Sequence, residues 1–117
     1  MDGGGVTIPL ITRTHAGAIL EPFVYTFDDN DGNPIDLAGM TAKVSWKRWS
    51  TGETGEFAVT AINTGTGTVT FSVPAAVTAV RDTVDLMVWA GNGATLRMDG
   101  ARWRLIIADP PGTAPTI

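Results

Sequence analysis

An all-β fold, two antiparallel sheets packed face to face, is predicted by three features of the sequence. Seven or eight short runs alternate apolar and polar residues with the period of two that a half-buried strand requires. Clusters of Gly, Asn, Asp and Pro punctuate the intervals between those runs. No run carries a helical apolar period over the ~10–12 residues that a crossover between parallel strands needs. An immunoglobulin-like antiparallel β-sandwich with one short helical connection fits best, and a small Greek-key barrel is the competing architecture. The cysteine pair of antibody domains is absent, so the likeness is architectural.

Taken in order, residues 1–5 form a flexible lead, 6–108 the sandwich, and 109–117 an extended Pro-rich arm. Val6–Thr12 is the first strand, and Pro9, which lacks a backbone donor, puts it at a sheet edge. Arg13–Gly17 is polar and reads as a turn. Ala18–Asp28 is a strand with Phe23, Tyr25 and Phe27 on one face. The acidic turn Asp28–Pro34 combines residues that accept left-handed geometry with side chains that bond their own backbone. The next strand places Ala42, Val44 and Trp46 inward and Thr41, Lys43, Ser45 and Lys47 outward.

Lys47–Gly55 reads as a loop, and Glu56–Ile62 as a strand of less regular alternation. Thr68–Val73 has the cleanest pattern, with Val69, Phe71 and Val73 inward. Pro74–Asp82 is the one helix-like piece, too short to be stable without packing and placed to carry the chain from one sheet to the other. Thr83–Ala90 is a strand, Gly91–Gly93 a tight turn, Ala94–Met98 a returning half-strand and Asp99-Gly100 a further turn. Ala101–Ile107 closes the domain with Trp103, Leu105 and Ile107 inward and Arg102 and Arg104 outward.

A chain of 117 residues is one domain by length and can bury a sizeable core without staples. The net charge of −4 argues against non-specific nucleic-acid binding, which draws its energy from phosphate neutralisation. With no cysteine, disulfides and thiolate zinc sites are excluded. No apolar run is long enough for a membrane helix, and the N-terminus lacks the pattern of a secretion signal. The expectation is a whole gene product made in the cytoplasm that leaves it only as part of a larger particle.

The sequence offers no catalytic constellation, and a non-enzymatic protein is expected. His15, the one histidine, sits in the polar stretch with no recognisable nucleophile or orienting carboxylate beside it, and no Gly-x-Ser-x-Gly elbow occurs. The Asp28–Asp31 turn fails the EF-hand register, because five positions before Gly32 stands Phe27; a self-stabilised turn is the simpler account. The glycine pairs and triplets match no phosphate loop. No cofactor is expected. Trp46 and Trp103 are assigned to the core. Trp49, Met87 and Trp89 fall off the inward phase and are the candidate interface residues, joined by Pro110, Pro111 and Pro115 of the arm. Lys43, Lys47, Arg102 and Arg104 occupy outward phases of two strands and read as a solvated face.

The run Tyr25-Thr26-Phe27-Asp28, followed by Asp31-Gly32-Asn33-Pro34-Ile35-Asp36-Leu37-Ala38-Gly39-Met40-Thr41-Ala42, resembles the opening of the N-terminal domain of phage baseplate upper proteins and related tail modules. The later elements follow that family's order: a Gly-rich turn before Thr68–Val73, a short connection, a strand and a final hairpin. The chain departs from the family at Asp82-Thr83-Val84-Asp85-Leu86, where a Gly-x-Tyr is usual. The resemblance implies an immunoglobulin-like structural piece of a virion, in the baseplate or tail or as a capsid decoration, with other virion proteins and further copies of itself as partners. The alternative is a carbohydrate-binding module that grips a glycan through exposed tryptophans such as Trp49 and Trp89.

Overall fold

The computed structural model describes residues 11–93 and 97–112. Its described residues form a β-sandwich of eight strands and one helical turn: β1 (Ile11–His15), β2 (Phe23–Thr26), β3 (Thr41–Arg48), β4 (Thr54–Ala58), β5 (Ala61–Asn63), β6 (Thr68–Phe71), α1 (Ala75–Thr78), β7 (Asp82–Gly91) and β8 (Arg97–Ala108). One sheet has the order β1-β8-β7-β3-β4 and the other β2-β6-β5. This division, with the second, fifth and sixth strands facing the rest, is that of an immunoglobulin-type sandwich.

The core follows directly from the alternation. Ala42 and Val44 of β3, Val69 and Phe71 of β6, Val84, Leu86, Val88 and Ala90 of β7, and Trp103, Leu105 and Ile107 of β8 are all buried. Phe71 lies 5.2 Å from Trp103 and 5.7 Å from Phe23, centroid to centroid, so three rings span the gap between the sheets. Trp103 is buried in the core as expected. Trp46 is only half-buried and packs at the margin, where its indole lies across Gly55. Gly55 is opposite Trp46 in register, and any larger residue there would collide with the ring.

Several boundaries differ from the sequence reading, each for a tertiary reason. Arg13–His15 are strand, not turn: they pair with Ile106–Ala108, and the turn begins at Ala16. The β1–β8 pair is parallel, the one exception to antiparallel pairing among the described strands. Val6–Leu10 and the edge placement of Pro9 lie outside the described residues. Lys47 and Arg48 extend β3 into the expected loop. The irregular Glu56–Ile62 run is two strands in different sheets: Phe57 and Val59 face inward from β4's side, Ile62 from β5, and the phase slips at Thr60, whose amide donates to the Thr70 carbonyl (2.8 Å).

Asp99-Gly100 is not a turn. β8 runs through it, and the register shift between Met87 and Trp89 leaves one extra residue on β8. The turn-like dipeptide is realised as a β-bulge, with Gly100 under the Tyr25 ring, where an added Cβ would lie 2.6 Å from it. Helix α1 does bridge the sheets as expected. Arg48, buried, donates to the carbonyls of Ala76 (2.9 Å) and Val77 (3.2 Å), while the Thr78 hydroxyl donates to Ala18 O (2.9 Å). A four-residue helix holds its place because side chains satisfy its terminal carbonyls.

Candidate functional site

The outer face of the five-stranded sheet is where the described structure gathers chemically distinctive side chains. β7 runs down its centre with Asp85, Met87 and Trp89 outward, because Val84, Leu86, Val88 and Ala90 occupy the core phase. β3 flanks it with Lys43, Ser45 and Lys47, and β8 with Arg102 and Arg104. The two basic rows are therefore not neighbours. Lys47 and Arg104 both stand opposite Asp85, one on each side of it.

Asp85 organises one end of this face. It accepts the indole N–H of Trp49 on Oδ2 (2.9 Å) and the Nε–H of Arg104 on Oδ1 (3.2 Å). The Arg104 guanidinium lies 4.2 Å from the centroid of the Trp49 ring, within cation–π range. The Trp49 amide also donates to the Thr83 carbonyl (2.9 Å), pinning the first residue after β3 to the sheet. Trp49 is thus held down by its backbone, its ring N–H and its stacking partner, yet it remains 54% exposed. A large apolar surface fixed in one orientation loses little entropy on being covered.

At the other end the Trp89 indole donates to Ser45 Oγ (2.7 Å), and Lys43 pairs with Glu56 (2.9 Å). Met87 is half-buried between Ser45 and Arg102. Ser45, Met87, Trp89 and Arg102 line a shallow depression, open to solvent, together with Thr54, Glu56 and Asp85. Its shape suits a flat macromolecular contact better than an enclosed small molecule.

Trp49, Met87 and Trp89, the sequence candidates, thus share one face. The prolines do not join them. Pro110, half-buried, and Pro111, exposed, follow β8 at the end of the sandwich, where Asp109 makes an exposed ion pair with Arg81 (3.5 Å). Pro115 lies outside the described residues. Sequence reading missed Asp85, Ser45 and Arg104 as the groups that hold the tryptophans. Their outward phase was visible, but which strand stands beside which was not.

The remaining candidates lie away from this face's tryptophans. His15 ends β1 and is exposed. In the acidic turn, Asp29 Oδ1 accepts the amides of Asp31 and Asn33 (2.9 Å each), and Asp36 Oδ1 that of Ala38 (2.9 Å). Among the described residues, no three His, Cys, Asp or Glu side chains converge as metal ligands. Among the described acids, Asp82 stands out. Partial desolvation acts against its charge, but the Ser50 hydroxyl (2.6 Å), the amides of Thr83 and Ser50, and the Arg48 charge outweigh that and hold its carboxyl below the usual range.

No family model matches this chain. No curated protein sequence matches it either. Among solved structures it is similar to the N-terminal domain of phage TP901-1 ORF48, with a TM-score of 0.54 and 14% identity over 86% of this chain and 84% of that one. The sandwich architecture is shared. At this identity the likeness establishes fold.

Proposed function

We propose that this chain is a structural component of a tailed phage or phage-like particle, a baseplate or tail adaptor or a capsid decoration, that works by protein–protein contact. The observation that carries this reading is the match of nearly the whole chain to a phage-protein domain, in agreement with the Tyr25–Ala42 motif. The outer sheet face supports it: Trp49 and Arg104 are residue types enriched at interface centres, and here they are pre-ordered by Asp85. The role requires no catalytic group and no cofactor, and the chain would reach the virion by assembly.

Mass spectrometry and antibody labelling of purified particles from a strain carrying this gene test the reading. The chain is expected as a fixed-copy component, localised to the tail, baseplate or shell. Absence from particles, or saturable binding of a glycan that quenches tryptophan emission, would overturn it in favour of a carbohydrate-binding module.

A further inference from the structure

Two patches of opposite sign lie on separate parts of this chain. On the outer face of the five-stranded sheet the described side chains set five cations, Arg13, Lys43, Lys47, Arg102 and Arg104, against two anions, Glu56 and Asp85. Lys43 is paired with Glu56 and Arg104 with Asp85. Arg13, Lys47 and Arg102 have no ion-pair partner among the described residues. From β3 to β1 these charges extend over about 15 Å, at ~4.8 Å per strand.

The counter-patch is the turn between β2 and β3, where Asp28, Asp29, Asp31 and Asp36 are all exposed. No lysine or arginine occurs between Arg13 and Lys43 to neutralise it. Asp29 and Asp36 spend hydrogen bonds on the loop's own amides. The Asp28 and Asp31 carboxylates have no such partner among the described residues. The turn cannot swing onto its own basic face. Phe27 N–H donates to Gly67 O (2.8 Å), Ile35 N–H to Phe27 O (2.8 Å) and Leu37 N–H to Thr64 O (3.1 Å), which tie it to the three-stranded side of the sandwich. Complementary patches that cannot meet within one molecule can meet between two.

We propose that the outer face of the five-stranded sheet docks the Asp28–Asp36 turn of a second copy of this chain, with Lys47, Arg102 and Arg13 receiving the carboxylates around the exposed Trp49 ring. The contact joins different patches on the two copies, so its repetition closes a ring or extends a filament according to the rotation between neighbours. This rests on the reading of the chain as a particle-building piece and names one of its partners. Charge complementarity sets register and speeds encounter more than it adds affinity, so self-association is weak and salt-sensitive.

Sedimentation or light scattering of the full chain, across concentration and at low and high salt, gives the test. The weight-average mass is expected to rise above the 12.3 kDa monomer at low salt and return to it at high salt. Two charge reversals separate the patches: Lys47→Glu with Arg102→Glu on the face, and Asp28→Lys with Asp31→Lys on the turn. Each, with unchanged circular dichroism, is expected to weaken self-association roughly tenfold or more. Mixing the two reversed proteins is expected to restore it, because each then presents what the other lacks. A wild-type chain that stays monomeric at low salt, or associates equally well with either patch reversed, overturns the proposal. So does a monomer that retards duplex DNA through the basic face. A monomeric chain still found in particles would end self-docking while leaving the virion reading standing.

Discussion

Replacing Arg48 by Met should destabilise the sandwich by about 2–3 kcal/mol, through the helical bridge rather than through an ion pair. Arg48 is 8% exposed, and its guanidinium makes three hydrogen bonds. Two go to the carbonyls of Ala76 and Val77 at the end of α1, and the third to Glu53, whose side chain is 60% exposed. A carboxylate that open to water contributes about 0–1 kcal/mol as a partner. The two carbonyls are different, because removing their donor leaves backbone acceptors unpaired at about 1–3 kcal/mol each. Met retains much of the apolar stem beside Trp46, and no longer having to bury a charge returns part of the loss.

For a chain of this length, about 2–3 kcal/mol corresponds to a fall in Tm of roughly 10 °C. Urea titration and calorimetry of Arg48→Met and Glu53→Gln supply the comparison, with Glu53→Gln expected within about 1 kcal/mol of wild type. If Arg48→Met proved as stable as wild type, the helix carbonyls would have found other partners and the argument would fail. Equal losses in the two variants would refute it differently, by moving the energy to the ion pair.

Gly67→Ala should cost at least about 2 kcal/mol, since its φ is +66° and a Cβ would lie 2.6 Å from Ile35 O and 2.9 Å from Phe27 O; chemical denaturation reads this directly. Asp82 is depressed in the folded state, so the unfolded chain binds its proton first as pH falls. The stability it contributes is therefore full above about pH 4 and lost below it. Asp82→Asn should flatten the acid limb of a stability–pH profile below about pH 4, and an unchanged limb would contradict the assignment. Trp49→Ala should change stability by no more than about 1 kcal/mol, because the ring is 54% exposed, yet reduce incorporation into particles in a competition assay with wild type. Trp103 Nε1 is buried with no acceptor among the described residues, so Trp103→Phe should cost less than the ~3–5 kcal/mol of Trp103→Ala in the same denaturation series.

Much of the strand content was legible because burial on one side imposes a period of two. Phe71, Val84 to Ala90 and Trp103 to Ile107 occupy the faces that period assigns. Asp28–Pro34 was legible as a turn because Asx side chains bond locally, as Asp29 does. The proline of Pro74 marked the start of α1, where it is the N-cap. The candidate face was half-visible. Phase alone put Trp49, Met87 and Trp89 off the core, but it also admitted burial on both sides of the sheet.

Local patterning set the short one-sided strands, most of the turns and most of the core, with Trp46 the exception at its margin. These depend on neighbours within a few positions. Tertiary structure decided that β1 lies parallel to β8, that Asp99-Gly100 becomes a bulge beneath Tyr25, and that the run after Glu56 changes sheets. It also decided that β7 separates β3 from β8, which sets Asp85 between two basic rows and fastens Trp49 beside it. Strand order and register are fixed by pairings between residues far apart in the chain, and no local period encodes them.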